Sequence, residues 1–190
     1  MNDFYSQPSG LSYKEDFITP EIEQTLVEKI DQSQWRNDLK RRVQHYGYRY
    51  DYKARRVSQD DYLGELPDWL SPLAQQLVAH KIFTAAPDQV IINEYLPGQG
   101  IAPHVDCVPC FNNTIVSLSL LSACEMNFKN MVHPEIKSNL YLKQKSLLVL
   151  KERSRFEWTH GIAPRKSDLI NDVRMSRTRR LSLTFRKVII

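Results

Sequence analysis

The sequence predicts an α+β fold, mainly β, and three observations lead there. Apolar residues recur at helical spacing in only two stretches, both before residue 82. Beyond them the chain breaks into short runs of β-branched, apolar and aromatic residues. Turn formers such as Pro97-Gly98-Gln99-Gly100 and Pro134 separate those runs. Two helices followed by many short strands argue for an α+β fold or a β-sandwich with helical backing, and a barrel-like double sheet is the natural closure.

The first helix starts at Thr19-Pro20, because proline is tolerated at the first helical position. Ile22, Leu26 and Ile30 then mark its apolar face. The second helix runs from Asp68 or Ser71 to about Lys81, with Leu70, Leu73, Leu77 and Val78 on one side. Both are expected to pack on a sheet as support. Val43–Tyr52 reads as a strand with Tyr46, Tyr48, Tyr50 and Tyr52 on one face. Further strands are predicted at Gln89–Tyr95, Thr114–Leu121, Cys124–Phe128, Asn139–Leu142, Ser146–Leu150 and Arg180–Val188.

At 190 residues the chain suits one domain with a real core, and 42% hydrophobic residues exclude a disordered chain. The N-terminus has no basic run before an apolar stretch, so no secretory signal is read there. No segment approaches the roughly 20 apolar residues of a membrane helix. The expectation is a soluble, cytoplasmic monomer without membrane partners, or a nuclear one in a eukaryote. Cys107, Cys110 and Cys124 give no even disulfide framework, and a zinc site would lack ligands, so reduced thiols are expected.

The net charge of +4 is unevenly placed. Arg36, Lys40, Arg41, Arg42, Arg49, Lys53, Arg55 and Arg56 stand against Asp38 and Asp51, and Arg174, Arg177, Arg179 and Arg180 form a second cluster. Such clusters can neutralise phosphates or simply solvate a face.

His104-Val105-Asp106 is the central motif. In an extended segment residues i and i+2 point the same way, so an imidazole and a carboxylate converge. Two histidines and one carboxylate on one face of a metal are the signature of non-heme iron(II) oxygenases. His160 is the preferred third ligand, over His133 in a loop before Pro134 and over the isolated His45 and His80. Near the end, Arg180, Ser182, Thr184 and Arg186 share one face of a strand while Leu181, Leu183 and Phe185 face the core. Arginines turned inward need anionic partners, and a dicarboxylate would serve. Asn93 and Tyr95 place an amide and a phenol on one face just upstream of the metal motif.

In this order, Asn93-Glu94-Tyr95, His104-Val105-Asp106, His160 and the Arg180/Arg186 pair resemble the motifs of the AlkB family. Detail is nearest to the AlkB homologue that hydroxylates a wobble-uridine modification in tRNA. It includes Tyr95-Leu-Pro-Gly-Gln-Gly100, Val116-Ser-Leu-Ser-Leu120, Trp158-Thr-His-Gly-Ile162 and the early His45-Tyr-Gly-Tyr48. The resemblance implies a double-stranded β-helix (jelly-roll) core over about 86–190, with helices and a nucleotide-recognition lid over about 1–85. It implies an Fe(II)- and 2-oxoglutarate-dependent dioxygenase with His104, Asp106 and His160 on iron. Asn93, Tyr95, Arg180, Ser182 and Arg186 would bind 2-oxoglutarate, Arg180 at its distal carboxylate. O2 would be the oxidant, and succinate and CO2 the co-products. Tyr48 and Arg49 are expected substrate residues, and Arg155 is expected either at the substrate or behind the site, supporting residues that line it.

Family members act on alkylated DNA, RNA, tRNA modifications and sometimes protein. The expected reaction is dealkylation or hydroxylation of a modified nucleobase; the alternative is a protein or small-molecule substrate, and a third reading is a non-catalytic metal-binding jelly roll. DNA-repair members carry an acidic residue two positions after the metal aspartate, where this chain has Val108.

Overall fold

The computed structural model describes residues 7–37 and 39–190. Residues 1–6, part of the stretch read for a signal, and Asp38 lie outside the described residues. Elements follow in the order β1 (Leu11–Lys14), α1 (Pro20–Gln32), β2 (Val43–Tyr46), α2 (Ser71–Ala79), β3 (Gln89–Tyr95), β4 (Ile101–His104), β5 (Phe111–Leu121) and β6 (Cys124–Asn130). They continue with β7 (Lys137–Leu142), β8 (Leu147–Leu150), α3 (Glu152–Phe156), β9 (Trp158–Ile162), β10 (Ser167–Ile170), β11 (Val173–Ser176) and β12 (Arg180–Val188).

The strands form a six-stranded sheet ordered β1-β8-β5-β12-β3-β2, a four-stranded sheet ordered β4-β9-β6-β7, and a β10-β11 hairpin. All pairings are antiparallel. This is the jelly roll expected. Strand alternation builds two cores from one large sheet. Val116, Leu118, Leu120, Leu181, Leu183 and Phe185 pack beneath Leu26 and Ile30 of α1 and Leu73 and Leu77 of α2. Phe111, Ile115, Leu148 and Leu150 face the small sheet, meeting Met126, Phe128, Trp158 and Ile162. The helices thus back one face and leave the other for a site.

In α1 the Thr19 side chain accepts from Ile22 N at 3.4 Å, capping the first turn. The expected Ile22-Leu26-Ile30 stripe is corrected at its first member: Ile22 is 41% exposed and Glu23 is buried. Glu23 accepts hydrogen bonds from Leu121 N (2.8 Å) and the Gln144 amide (2.6 Å). A backbone donor at the end of β5 needs an acceptor, and that need outweighs helix periodicity here.

The predicted strand Val43–Tyr52 ends at Tyr46. Gly47 has φ +76° and lies so close to Asp88 that a Cβ would stand 1.7 Å from its carbonyl oxygen. The chain turns there, and the four tyrosines do not share a face. Tyr46 packs edge-on to Trp69, Tyr48 against Tyr62, and Tyr50 against Tyr52. Among the described residues no helix is long and apolar enough to cross a membrane.

Candidate metal and co-substrate site

β4 pairs with β9 so that His104 stands directly opposite His160. Gly161 permits the approach, since a Cβ there would meet Pro103 N at 2.9 Å. Asp106 follows two residues beyond β4, and the ligand atoms of His104, Asp106 and His160 all lie within 4.8 Å of one another. Among the described residues no other group of three metal-ligating side chains gathers this way. The rivals lie elsewhere: His133 is in a loop beside Glu135, His80 caps α2, and His45 is in β2.

His104 Nδ1 lies 2.9 Å from Ala102 O, which can only accept, so Nδ1 donates there and Nε2 is the nitrogen that faces away from this bond. Burial lowers the His160 pKa to about 4; Asp106 opposes this, while the charges of His104, Arg186 and Arg155 add to it. The ring is therefore neutral near pH 7, the form that ligates a metal. Burial pushes the Asp106 carboxyl upward, but Arg186, His160, His104 and Arg155 together hold it well below the usual carboxylate range. Asp106 is buried and ionised, and Arg186 pairs with it directly.

Of the two places expected for Arg155, at the substrate or behind the site, the structure shows the second. The short helix α3, which has no apolar period to announce it, turns this side chain under the metal turn, where it is 2% exposed. Its guanidinium donates to the carbonyls of Asp106 (2.9 Å) and Cys107 (3.2 Å). It holds the backbone that carries Asp106. The reduced thiols expected are also corrected, for Cys107 and Cys110 form a disulfide across the four-residue turn after Asp106. An odd count of three cysteines hides a local pair.

The second wall comes from β3 and β12, where Asn93 stands opposite Ser182 and Tyr95 opposite Arg180. Asn93, Tyr95, Ser182, Thr184 and Arg186 line a cavity of about 300 Å³ that also holds the three metal-site residues. Arg180 lies beside Tyr95, its guanidinium 5.5 Å from the ring centre, in a small void adjoining the cavity. It is 2% exposed and donates to Ser119 Oγ at 2.8 Å, while its Nε and Nη1 have no partner among the described residues. A buried guanidinium with unpartnered nitrogens calls for an anion. Burial raises the Tyr95 phenol, against the opposing charges of Arg41 and Arg180, so it stays a neutral donor. A carboxylate fits these groups.

At the mouth, Tyr50, Tyr52 and Arg55 line the cavity, whereas the expected Tyr48 and Arg49 do not. Tyr48 is engaged by Tyr62, and Arg49 pairs with Asp61 at 3.2 Å. The turn at Gly47 shifts which tyrosines face inward, and no period-two reading could reveal that. The second basic cluster is also corrected: Arg177 pairs with Asp168, Arg179 with Asp31 and Glu94, and Arg180 points inward, so these three do not form a phosphate-binding face.

The facial histidine-carboxylate cluster, the anion-seeking wall and the jelly roll together define a class. The model of the 2OG-Fe(II) oxygenase superfamily matches residues 10–186, and the chain belongs to that superfamily. The chain is a 2OG-Fe(II) dioxygenase, and it is similar to proteins named as AlkB homologues. It is 40% identical over 205 residues to the tRNA (carboxymethyluridine(34)-5-O)-methyltransferase alkbh8 of Xenopus tropicalis, covering 96% of this chain and 32% of that one. The chain thus spans about a third of that relative's length. It is also 40% identical over 185 residues to the uncharacterized protein L905 of Acanthamoeba polyphaga mimivirus, covering 95% of this chain and 86% of that protein. Among solved structures, that of OsALKBH1 superposes with TM-score 0.74 at 16% identity, covering 96% of this chain and 98% of that one.

Proposed function

We propose that this chain hydroxylates or oxidatively dealkylates a modified nucleobase in a nucleic acid, using Fe(II), 2-oxoglutarate and O2. In this reading 1–190 is a single catalytic domain, with His104, Asp106 and His160 holding the metal and Asn93, Tyr95, Arg180, Ser182 and Arg186 holding the co-substrate. One observation carries it: a two-histidine, one-carboxylate cluster shares a cavity with a polar wall beside which a buried guanidinium lacks an anion. The tRNA-directed Xenopus relative supports a nucleic-acid substrate.

Bound iron and 2-oxoglutarate supply the O2-dependent oxidation of a C–H bond. The residues do the positioning. His104 offers Nε2 because Ala102 O holds the other ring nitrogen. Asp106 stays ionised beside Arg186, and Arg155 fixes the turn that carries it. Arg180 and Tyr95 would hold the distal carboxylate of the co-substrate by donating to it. The apolar remainder of the lining, Ile91, Ile115, Met126 and Leu148 among it, excludes water from the reacting atoms. Tyr50 and Tyr52 offer ring faces to a base at the mouth. If the target is an N-methyl group, the hydroxylated product releases formaldehyde.

The test is succinate formation by iron-loaded protein with 2-oxoglutarate, with and without methylated oligonucleotides or tRNA. Succinate that rises with either polymer, and vanishes in His104→Ala, is expected. Stimulation by neither polymer would overturn the nucleic-acid substrate, and normal turnover in His104→Ala would overturn the metal assignment.

A further inference from the structure

Arg41 and Arg42, just before β2, clasp neighbouring residues of β3. Arg42 makes a two-point pair with Glu94, Nε to Oε2 at 2.6 Å and Nη2 to Oε1 at 2.7 Å. Its carbonyl accepts from Glu94 N at 3.0 Å, and its guanidinium lies 4.7 Å from the Trp35 ring centre. Successive strand residues point to opposite faces, so Asn93 turns toward the cavity when Glu94 turns away. Arg41 follows Asn93. Its Nε donates to Asn93 Oδ1 at 2.8 Å, its guanidinium lies 5.7 Å from the Tyr95 ring centre, and it lines the cavity.

Arginine has donors and no acceptor. The oxygen of the Asn93 amide must therefore face Arg41, and its NH2 group must face the other way. Asn93 is 7% exposed, and its Nδ2 makes no hydrogen bond to any described residue. Flipped, the amide would present an acceptor to the cavity, where it would repel a carboxylate. We infer that Arg41 is a positioning residue for the co-substrate: it fixes the Asn93 amide with its donors toward the carboxylate. It thereby ties the entry of the lid segment to an occupied co-substrate site. Arg42, anchored on the buried Glu94, holds the backbone that delivers Arg41.

The inference rests on the reading above that Asn93 contacts 2-oxoglutarate. Its test is equilibrium binding of 2-oxoglutarate to Mn(II)-loaded protein by calorimetry, alongside KM and kcat for succinate formation. Arg41→Ala is expected to weaken binding and raise KM about tenfold, as for removal of one charge-assisted hydrogen bond, with kcat at saturation and the melting temperature nearly unchanged. Arg41→Lys should recover part of the loss, because it keeps a charged donor. In an Asn93→Ala background Arg41→Ala should add little, since the amide it orients is gone. Wild-type binding in Arg41→Ala would overturn the inference, and so would an equal loss with and without Asn93. If the wild-type protein itself binds no 2-oxoglutarate, the proposed co-substrate site falls first and this inference with it.

Discussion

Between Arg174 and Arg186 most guanidinium groups turn inward, whereas from Lys53 to Arg56 the charges stay in water. Arg177 and Arg180 lie three residues apart and are both buried, at 8% and 2% exposure. Arg177 is saturated: Nε and Nη2 donate to Asp168 at 2.7 and 2.6 Å, and Nη1 donates to Ala163 O at 2.8 Å. Among the described residues Arg180 has Ser119 as its one hydrogen-bond partner. Lys53, Arg55 and Arg56 are exposed, and Arg55 also lines the cavity. One residue type thus does three kinds of work. A paired buried charge holds the fold, an underpaired buried charge can take up an anion, and an exposed charge is left to solvent.

The largest effect should come from breaking the saturated pair. Asp168 is 1% exposed and also accepts from Arg165 Nε at 2.8 Å and Glu125 N at 3.2 Å. Asp168→Ala leaves Arg177 buried without its carboxylate, which typically costs about 3–5 kcal/mol. Urea unfolding of the variant checks this, and a loss below about 1 kcal/mol would mean that water replaces the carboxylate.

Arg180 should behave in the opposite way. Arg180→Ala removes a charge that no side-chain carboxylate compensates, so the free protein should keep its stability. Its requirement for 2-oxoglutarate should rise roughly a hundredfold, as for one partner of a buried charged pair. Arg180→Lys should restore it only partly, because a point charge lacks the two-pronged fork. Urea midpoints and KM for 2-oxoglutarate, measured on the same preparations, separate the two roles. If Arg180→Ala unfolds as readily as Asp168→Ala, the distinction between the two arginines fails.

A smaller effect should appear in acid. The hydrogen bond from Arg42 is the largest influence on Glu94 and lowers its pKa; burial opposes it, and Arg179 lowers it further. A group whose pKa is depressed by folding contributes stability above its unfolded value, near ~4.3 for glutamate. That contribution is lost as pH falls through the lower folded value. Glu94→Gln should therefore lower the melting temperature at pH 7 and flatten its decline between pH 5 and 3. Parallel melting curves for the variant and wild type would show that Glu94 is not coupled to its arginines.

Local pattern makes much of this legible. β3 and β12 have the bounds the sequence predicts, because each is a long alternating run buried on both faces. The spacing of His104 and Asp106 follows from an extended chain, and His160 stands out because His133 lies in a loop, His80 at a helix end and His45 on an early strand. What local pattern cannot supply is contact between distant segments. β4 and β9 are four and five residues long, and their pairing depends on the room left at Gly161. Whether Arg155 meets substrate or supports the site from behind is not legible until α3 turns it beneath Asp106. The N-terminal basic run misleads in the same way, since Arg41, Arg42 and Arg49 are taken up by Asn93, Glu94 and Asp61. Charge is visible in a sequence, but its burial is not.

The smallest expected effect tests the exposed end of the comparison. Phosphate contacts release counterions, so affinity for a nucleic acid should fall as salt rises. Lys53, Arg55 and Arg56 are exposed, and Arg55 borders the cavity mouth beside Tyr50 and Tyr52. Replacing all three with glutamine should reduce the slope of log affinity against log salt. The reduction should reach about 0.7 for each phosphate no longer neutralised on a single strand, or about 0.9 on a duplex. Arg42→Gln should leave that slope as it was, because its guanidinium is held in a two-point pair by Glu94. Filter binding of single-stranded DNA and tRNA across a salt series measures both variants. Equal slopes in the triple variant and wild type would remove this loop from the polymer's path. A slope changed by Arg42→Gln would show that the ion pair opens when nucleic acid binds, and that exposure in the free protein does not decide which arginines meet phosphate.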